Sequence, residues 1–565
     1  MIIDTLSGIV TDATNKLGYS NTMNVIKSNR PDLCDYQCDG VFNLAKEYKK
    51  NPLELGEEIV NEIKSMEYFD KYFREVQFVK PGFINISLSD SFINNALIDM
   101  NKGKFNFRKP EKIETFVIDY GGYNIAKPLH IGHLRPTIIG ESIKRIVAYV
   151  GHKTISDVHL GDYGLQMGQV IYGIKRDKLT IAEIDIDYLN KIYPEISGLC
   201  KTDDEILEEC ATITKDLQDG NEEYAEIWDK IMKVSIDDAK NICDYLDVSF
   251  DLWQGESDSY QYLEELENIL NEKKLLTLSE GALVVNVKSE DDNKPMPPMM
   301  YKKGNGAYVY ASTDLATIYE RKLKYDPDHI IYVVDVRQNL HFNQVFRTSD
   351  MAGIMPFESL EHAYNGTING TDGKPFKTRK GDAPKLRELF DMVRESFINT
   401  KESNKDMSSE DVEKIVNAIV KFADLQNARD KDYIFDVDKF SAVVGKTGPY
   451  ILYTYLRMNK IIKDLNIKTN ILSNNIYNNA DRELRIKLLE LENNFEMAFN
   501  NRKPHYIAEY IYELCVAANN FYQTNHLSNL DDKQKLNDWL YVLELTNKVI
   551  EEMLSLLIIK IPTAM

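Results

Sequence analysis

The stretch from residue 114 to residue 151, ETFVIDYGGYNIAKPLHIGHLRPTIIGESIKRIVAYVG, decides the fold expected of this chain. ETFVIDY is a short run rich in β-forming residues and predicts a strand. Beyond a glycine-bearing turn, apolar residues recur at helical spacing from Ile139 to Val150, and Gly151 is a natural helix end. KTISDVHL then predicts a second strand. This order indicates a β-α-β unit, hence an α/β fold with a Rossmann-type parallel sheet that binds nucleotides.

The turn between this strand and helix carries two histidines, His130 and His133, on either side of Gly132. Backbone N–H groups at a helix start favour anionic phosphate, and imidazoles placed there can donate hydrogen bonds to phosphoryl oxygens. A glycine allows the nucleotide to approach the backbone closely. An isolated H-x-G-H could equally be a pair of solvated helix caps, but its place between a strand and a helix favours a phosphate site.

A second cationic cluster, GKPFKTRKG at residues 373–381, contains Lys377 and Arg379 between glycines. Taken alone, such a run is more often a solvated loop. Paired with the histidine turn, it has a specific use, because attack at the α-phosphate of ATP expels pyrophosphate and needs cations over the leaving group. A loop flanked by glycines can close over that group and reopen.

The whole chain has the composition of a multidomain globular protein. Its 565 residues are too many for a single hydrophobic core. A content of 43% hydrophobic and 28% charged residues is ordinary for a globular protein. Neither a signal peptide nor a membrane-spanning run is recognised, so a cytoplasmic location is expected. A net charge of -21 argues against a broad basic surface but leaves room for local basic patches. The six scattered cysteines predict reduced thiols rather than a metal site.

Changes in pattern along the chain predict three domains. Residues 1–110 mix helix and strand signals and indicate an α+β domain. Residues 111–400 form the α/β domain, which an acidic, helical insertion interrupts at about 175–285. Two apolar runs, GALVVNV and DHIIYVVDV, are expected to return the chain to its parallel sheet. Residues 405–565 are helical in pattern and predict an all-α bundle.

Several motifs, in order along the chain, resemble class I aminoacyl-tRNA synthetases and specifically the arginyl-tRNA synthetase family. They are NIAKPLHIGHLRPTIIGES, VHLGDYGLQMG, YVYASTDLATI, YVVDVRQNLHFNQVF, GKPFKTRKG and TGPYILYTYLRM. The resemblance implies that arginine and ATP form arginyl-adenylate and pyrophosphate, and that arginine then passes to tRNA(Arg). It also implies ATP with Mg²⁺ as the substrate complex, no protein-bound metal, no membrane partner and a monomer.

The resemblance assigns catalytic and ATP-binding residues position by position. His130 and His133 match the family's HIGH motif, and with Gly132 and Lys377 they would bind ATP. Lys377 and Arg379 fall on a degenerate KMSKS loop. Lys127 lies just before the HIGH motif, where a lysine is thought to supply the positive charge that such a loop lacks.

The same resemblance assigns the arginine site to Asp119, Asn124, His133, Tyr310, Asp314 and Gln338. A guanidinium is planar, always charged and offers five donors, so a selective pocket needs fixed carboxylates and carbonyl acceptors. Asp314 is the expected guanidinium partner, with Tyr310 beside it, whereas Asp119 meets the α-ammonium or orients the site. Considered without the family, Tyr310 and Asp314 would be a strand-end tyrosine and a helix N-cap.

The terminal domains resemble tRNA-binding modules, the first for the tRNA elbow and the last for the anticodon. In the last, four residues either contact bases or pack in the core, and the sequence favours neither use: Tyr450, Tyr453, Tyr455 and Arg457.

Two positions near the HIGH motif depart from the family pattern. Tyr123 replaces a rigid residue beside the substrate, and Pro136 is expected in the first turn of the helix.

Two other functions remain open at this point. The first is another ATP-dependent nucleotidyl transferase built on the same turn, although such an enzyme would not need the terminal domains. The second is a paralogue that binds arginine or tRNA as a regulator, although a non-catalytic binder would be free to lose Lys127 and both histidines.

Overall fold

The computed structural model describes residues 2–30, 32–102, 105, 107, 109–376, 384–399, 407–527 and 530–565. Its first part contains a four-stranded antiparallel sheet and its helices. The elements are α1 (Ile2–Lys16), β1 (Val25–Lys27), β2 (Tyr36–Cys38), α2 (Val41–Tyr48), α3 (Pro52–Lys64), α4 (Phe69–Tyr72), β3 (Phe73–Val79), β4 (Phe83–Leu88) and α5 (Asp90–Met100). The strand order is β1-β2-β4-β3. The side chain of Asn51 accepts a hydrogen bond from the backbone N–H of Leu53, so α3 begins at the proline that separates it from α2.

The second part contains a parallel sheet with helices on its faces and a helical insertion. The elements are β5 (Thr115–Tyr120), α6 (Ile131–Val150), β6 (Lys153–Asp157), α7 (Leu165–Asp177), α8 (Ile186–Leu199), α9 (Asp204–Gln218), α10 (Glu222–Tyr245), α11 (Glu256–Ser259), α12 (Leu263–Glu272), β7 (Leu276–Ser279), β8 (Ala282–Val285), β9 (Met299–Lys302), α13 (Tyr310–Tyr325), β10 (His329–Val333), α14 (Asn339–Ala352), β11 (Leu360–His362), β12 (Ile368–Asn369) and α15 (Leu386–Asn399).

The parallel sheet has the order β11-β10-β5-β6. Strand β5 lies between β10 and β6, and every pairing in this sheet is parallel. Helix α6 crosses from β5 to β6 and ends at Gly151, whose φ of 114° is readily adopted only by glycine. The predicted β-α-β unit and parallel sheet are therefore confirmed.

The expectation that both apolar runs return to the parallel sheet is wrong for GALVVNV. That run forms β8, which lies in a separate antiparallel sheet of order β7-β8-β9. A two-residue turn at Glu280 and Gly281, both with positive φ, joins β7 to β8, and so short a link permits only an antiparallel hairpin. DHIIYVVDV contains β10 and does join the parallel sheet.

The third part is helical. Its elements are α16 (Ser409–Leu425), β13 (Tyr433–Ile434), α17 (Val437–Ser441), α18 (Gly448–Leu465), α19 (Asn479–Leu489), α20 (Leu491–Asn501), α21 (His505–Thr524) and α22 (Lys533–Leu556). The predicted fold class is confirmed: an α+β first domain, a parallel-sheet catalytic domain and an all-α last domain. Among the helices that the structure describes, none is long and apolar enough to cross a membrane.

Buried polar contacts join the last domain to the other two. Arg482 on α19 contacts Asp35 at 2.6 Å and Asp90 at 2.7 Å in the first domain. Arg135 on α6 lies 3.1 Å from Asp424 on α16, and both side chains are almost fully buried. The last domain therefore packs against both of the others through paired charges as well as through apolar side chains.

The helix after the HIGH motif also contacts the C-terminal end of α22. The hydroxyl of Ser142 donates to the carbonyl of Leu556 at 2.8 Å, and Arg145 donates to the carbonyl of Ser555 at 2.8 Å. These bonds fix the outer face of α6 against the bundle.

Candidate active site

The histidine turn is fixed by hydrogen bonds within its own backbone. His130 is the N-cap of α6, and its Nδ1 accepts a hydrogen bond from the N–H of Gly132 at 3.0 Å. Nδ1 of His133 accepts from the N–H of His130 at 3.1 Å. Because this capping starts the helix at Ile131, Pro136 lies in the second turn, and the expectation of a first-turn proline is wrong. Pro136 has no N–H to donate to the carbonyl four residues earlier.

Both imidazoles are held neutral. Burial lowers the pKa of His133 to about 3, and the neighbouring His130 and Lys127 add to the effect. Burial, followed by the charge of Lys127, also lowers the pKa of His130. In each neutral ring Nδ1 is an acceptor, so the proton lies on Nε2. Each histidine therefore offers one N–H donor for an oxygen anion.

A cavity of about 610 Å³ opens at the carboxyl ends of β5 and β10. Six of the predicted site residues line it: Asp119, Asn124, Lys127, Tyr310, Asp314 and Gln338. His130, Gly132 and His133 do not line this cavity, although His133 was also expected to contact arginine. Lys377 and Arg379 lie outside the described residues.

Asp314 is held in place by a histidine. Its Oδ2 lies 2.5 Å from Nε2 of His341 on α14. Helix α13 begins at Tyr310 with Val309 as its N-cap, so Asp314 is not the N-cap of this helix. Tyr310 is 67% exposed and lines the same cavity. The carboxylate is thus free of a capping role and is presented to the cavity by the second turn of α13.

Glu256 is a third carboxyl group in this cavity, beside Asp119 and Asp314. Burial raises the pKa of Glu256 to about 7, and the negative charge of Asp314 adds to the effect. A carboxyl group in this state gains its charge readily when a cation arrives.

Asp119 is engaged in a buried ion-pair cluster below the cavity. Nη2 of Arg321 lies 2.6 Å from Oδ2 of Asp119 and 2.7 Å from Oδ2 of Asp157. His159 adjoins the cluster, and the Asp119 carboxylate raises the pKa of its imidazole although burial opposes the shift. Ligand atoms of Asp119, Asp157 and His159 lie within 4.8 Å of one another, as a metal site would require, but the guanidinium already supplies a cation there.

The loop before the HIGH motif is tied to several neighbours. The backbone of Asn124 forms an isolated parallel β-bridge with that of Gly161. Ala126, with a φ of 59°, donates its N–H to Oγ of Ser235 at 3.1 Å. The ammonium of Lys127 lies 4.4 Å from the ring centroid of Tyr193. The loop is therefore held in one conformation that directs Lys127 towards the cavity.

The histidine turn is also bonded to the segment that follows the basic loop. The N–H of Ile131 donates to the carbonyl of Pro384 at 3.0 Å, and the N–H of Leu386 donates to the carbonyl of Leu129 at 3.0 Å. The segment that begins at Pro384 is thus attached directly to the turn.

In the last domain, the structure separates the tyrosines of α18. Tyr455 is buried, and its hydroxyl donates to Glu551 at 3.1 Å, so of its two interpretations core packing is right. Tyr453 is 43% exposed. The guanidinium of Arg457 lies 4.3 Å from the ring centroid of Tyr522. Only part of this group is therefore available to a nucleic acid.

Several cavity residues were not singled out from the sequence. His159 and Gln166 lie in VHLGDYGLQMG, and His341 lies in YVVDVRQNLHFNQVF, so those motifs already contained the signal. Tyr193 and Glu256 lie in or next to the insertion, where no motif marks them. Only the folded chain brings them to the cavity.

A parallel sheet with a histidine turn at the start of its first crossover helix, flanked by an α+β domain and a helical bundle, is the architecture of a class I aminoacyl-tRNA synthetase. The family model for the class I (R) tRNA synthetase catalytic domain matches residues 93–437. The arginyl-tRNA synthetase N-terminal domain matches residues 3–88, and the DALR anticodon-binding domain matches residues 451–565. The chain belongs to the arginyl-tRNA synthetase family, and its activity is that of an arginine–tRNA ligase.

Curated relatives agree with this assignment, and two solved structures share the fold. The arginine–tRNA ligase of Alkaliphilus oremlandii is 39% identical over 589 residues, and that of Agathobacter rectalis is 38% identical over 598 residues; each pairing covers 100% of both chains. The arginyl-tRNA synthetase of Plasmodium falciparum superposes with a TM-score of 0.81 at 24% identity, covering 100% of this chain and 99% of that one. That of Thermus thermophilus gives 0.81 at 20% identity, covering 100% of both chains.

Proposed function

We propose that the cavity binds arginine with its guanidinium at Asp314. The observation that carries this proposal is that five of the residues assigned to arginine line one cavity, where Asp314 is presented by α13 and held by His341. A carboxylate pairs with a guanidinium through charge-assisted hydrogen bonds. Tyr310 flanks the planar group, and Glu256 supplies a second carboxylate when it ionises.

The opposite end of arginine is assigned to Asn124 and Gln338, which offer amide donors and acceptors. The charge of Asp119 is balanced by Arg321, so we assign Asp119 an orienting role rather than the α-ammonium contact. His133 contributes from the edge of the site through its Nε2–H.

ATP lies with its triphosphate at the histidine turn in this proposal. An oxygen of the arginine carboxylate attacks the α-phosphorus, and pyrophosphate leaves. Neutral His130 and His133 each donate through Nε2 to oxygens that gain charge in the transition state. Gly132 allows the nucleotide to approach the backbone, and Lys127 adds a cation. Mg²⁺ arrives with ATP as part of the substrate complex.

The basic loop completes the phosphate site, with Lys377 and Arg379 over the leaving group. The adenylate then passes its arginyl group to the terminal ribose of tRNA(Arg). We assign residues 111–400 to the catalytic domain. Residues 1–110 are assigned to binding the tRNA elbow and residues 405–565 to binding the anticodon. We further propose that the protein is a monomer and is located in the cytoplasm. Light scattering during size-exclusion chromatography tests the oligomeric state.

Pyrophosphate exchange tests the guanidinium assignment. Asp314→Asn removes the charge but keeps the shape, so we expect the KM for arginine to rise by about 10- to 100-fold, as for a lost charged hydrogen bond of about 1.5–3 kcal/mol. The KM for ATP should change little. Assays include tRNA(Arg) in excess.

Asp326→Asn is the matched control, because Asp326 ends the same helix with its side chain 80% exposed. The control should leave both KM values unchanged. Equal effects of Asp314→Asn on arginine and ATP would remove Asp314 from the guanidinium role.

A further inference from the structure

We infer that Tyr193, on helix α8 of the acidic insertion, is a positioning residue that holds Lys127 in place for the activation step. The inference rests on the proposed function, since it requires Lys127 to act on the triphosphate. It gives the insertion a part in the chemistry, which neither its composition nor its sequence motifs indicate.

The first observation is the contact itself. The ammonium of Lys127 lies 4.4 Å from the ring centroid of Tyr193, and both side chains line the cavity in which the arginine site lies. The negative face of an aromatic ring attracts a cation. Unlike a carboxylate, the ring leaves the positive charge unpaired, so a lysine held in this way keeps its full attraction for phosphate.

The second observation concerns the backbone next to Lys127. Ala126 has a φ of 59°, a region that residues other than glycine seldom adopt without support. Its N–H donates to Oγ of Ser235 on α10, 3.1 Å away, and the side chain of Gln166 on α7 donates to the carbonyl of Ile125. Helices α7 and α10 thus hold the peptide units immediately before the lysine.

The third observation is that α8 has a fixed position. A Cβ atom at Gly173 of α7 would lie 2.3 Å from the side chain of Ile192, so the glycine lets the two helices pack in close contact. Arg176 at the end of α7 pairs with Glu195 of α8 at 2.8 Å. Tyr193 stands between these two anchors, so its ring has little freedom to follow a mobile lysine.

These contacts position the backbone and the side chain of Lys127 separately. Ser235 and Gln166 set the direction of the backbone, and Tyr193 selects where the ammonium lies. Without the ring, the flexible four-carbon side chain would sample several rotamers, and only some would reach the triphosphate. Removing the ring should therefore lower the rate of adenylate formation and leave the affinity for arginine unchanged.

A double-mutant cycle tests this coupling in the full-length enzyme. The variants are Tyr193→Leu, Lys127→Met and the two combined, assayed by pyrophosphate exchange with saturating arginine and tRNA(Arg). We expect Tyr193→Leu to lower kcat about 3- to 30-fold, the range that a cation–π contact supplies, with the KM for arginine almost unchanged. In the Lys127→Met background, Tyr193→Leu should cause no further loss.

Two ring variants separate electrostatics from packing. Tyr193→Phe keeps the negative ring face and should retain nearly full kcat. Phenylalanine with a fully fluorinated ring, incorporated at position 193, has similar size but lacks that negative face, and it should lower kcat as Tyr193→Leu does. This pair keeps the test valid even if Tyr193→Leu fails to fold.

The outcomes distinguish this inference from the proposal on which it rests. If Tyr193→Leu is equally harmful with and without Lys127, or if the fluorinated ring has full activity, Tyr193 only supports the fold and the inference is overturned. If Lys127→Met leaves adenylate formation unchanged, the assigned role of Lys127 is itself wrong, and the inference fails with it.

Discussion

Tyr123 shows how one side chain supports the histidine turn from below. The residue is buried, and its hydroxyl lies 3.0 Å from Oγ1 of Thr137, which itself donates to the carbonyl of His133 at 2.7 Å. The rings of Tyr123 and His133 meet edge to face, with centroids 5.9 Å apart. Tyr123 therefore supports the first turns of α6 and does not line the cavity at the carboxyl ends of β5 and β10, which explains how this departure from the family pattern is tolerated.

In the proposed arginine site, Glu256 should give arginine binding a pH dependence. Below a pH of about 7 its carboxyl group is protonated and cannot attract a guanidinium, whereas above that pH it carries a negative charge. Arginine affinity should therefore rise as the pH increases from 6 to 8, with a proton released on binding. Arginine binding by calorimetry in buffers of different ionisation enthalpy measures both quantities.

The variant Glu256→Gln should bind arginine more weakly at pH 8 and lose this dependence. Glu264→Gln, at an exposed position on α12, should behave as the unchanged protein does. If the pH dependence of arginine binding persists in Glu256→Gln, another titrating group must cause it.

Among the elements, α7 owes its position to two glycines. A Cβ atom at Gly168 would lie 2.1 Å from the carbonyl oxygen of Cys210 on α9, and Gly173 allows the corresponding approach of α8. Helices α7, α8 and α9 therefore pack more closely than larger side chains at these two positions would permit. Because α7 also carries Gln166 and Gln169, this packing sets one wall of the cavity.

Gly168→Ala should destabilise the chain, since backbone atoms of α9 cannot move aside as a flexible side chain would. We expect a cost of about 1–3 kcal/mol, typical of overpacking, seen as a lower midpoint in thermal unfolding. Gly198→Ala on α8 is the control, because nothing lies within 4 Å of the added Cβ and alanine favours a helix. The control should stabilise slightly; similar losses in both variants would contradict the packing argument.

The elements that the sequence predicted are those with local signals. Strand β5, helix α6 and its end at Gly151 follow from residue types within a few positions of one another. Strand β8 has an apolar pattern that fits either sheet, so only its hairpin partner decides its place. Tyr455 and Tyr453 likewise look alike in sequence, because the face that α18 buries depends on α22 and on α21, distant along the chain.

The same limit applies to the site. Motif residues such as Asp314 and Gln338 could be assigned because the family's pattern marks them. Glu256 and Tyr193 could not, since a long-range fold and not a local pattern carries them to the cavity.

At the scale of the whole molecule, one buried ion pair joins the helix of the histidine turn, α6, to helix α16 of the bundle. Arg135, two residues beyond His133, pairs with Asp424 and also donates to the carbonyl of Lys431 at 2.8 Å. Its guanidinium lies 5.1 Å from the ring centroid of Tyr433, whose strand pairs with β12 just before the basic loop. The helix of the histidine turn and the strand that leads into the loop thus share one anchor.

Asp424→Asn leaves the Arg135 charge buried and unpaired, so we expect a loss of about 3–5 kcal/mol in unfolding free energy. Arg135→Met combined with Asp424→Leu should recover much of that loss, because neither charge is then buried. Asp32→Asn, in the exposed pair with Arg30, should leave the unfolding free energy almost unchanged, because solvent screens that pair. Unfolding in urea measures all three, and a double variant as unstable as the single one would contradict this account.

The bond between Ser142 and the carbonyl of Leu556 spans 414 positions of the chain. During translation, α6 leaves the ribosome long before the segment that covers its outer face is made. Contacts between such distant positions form late and slowly. The newly made catalytic domain therefore exposes the outer face of α6 until the bundle has been synthesised. We expect chaperones to bind this domain while the chain is still growing.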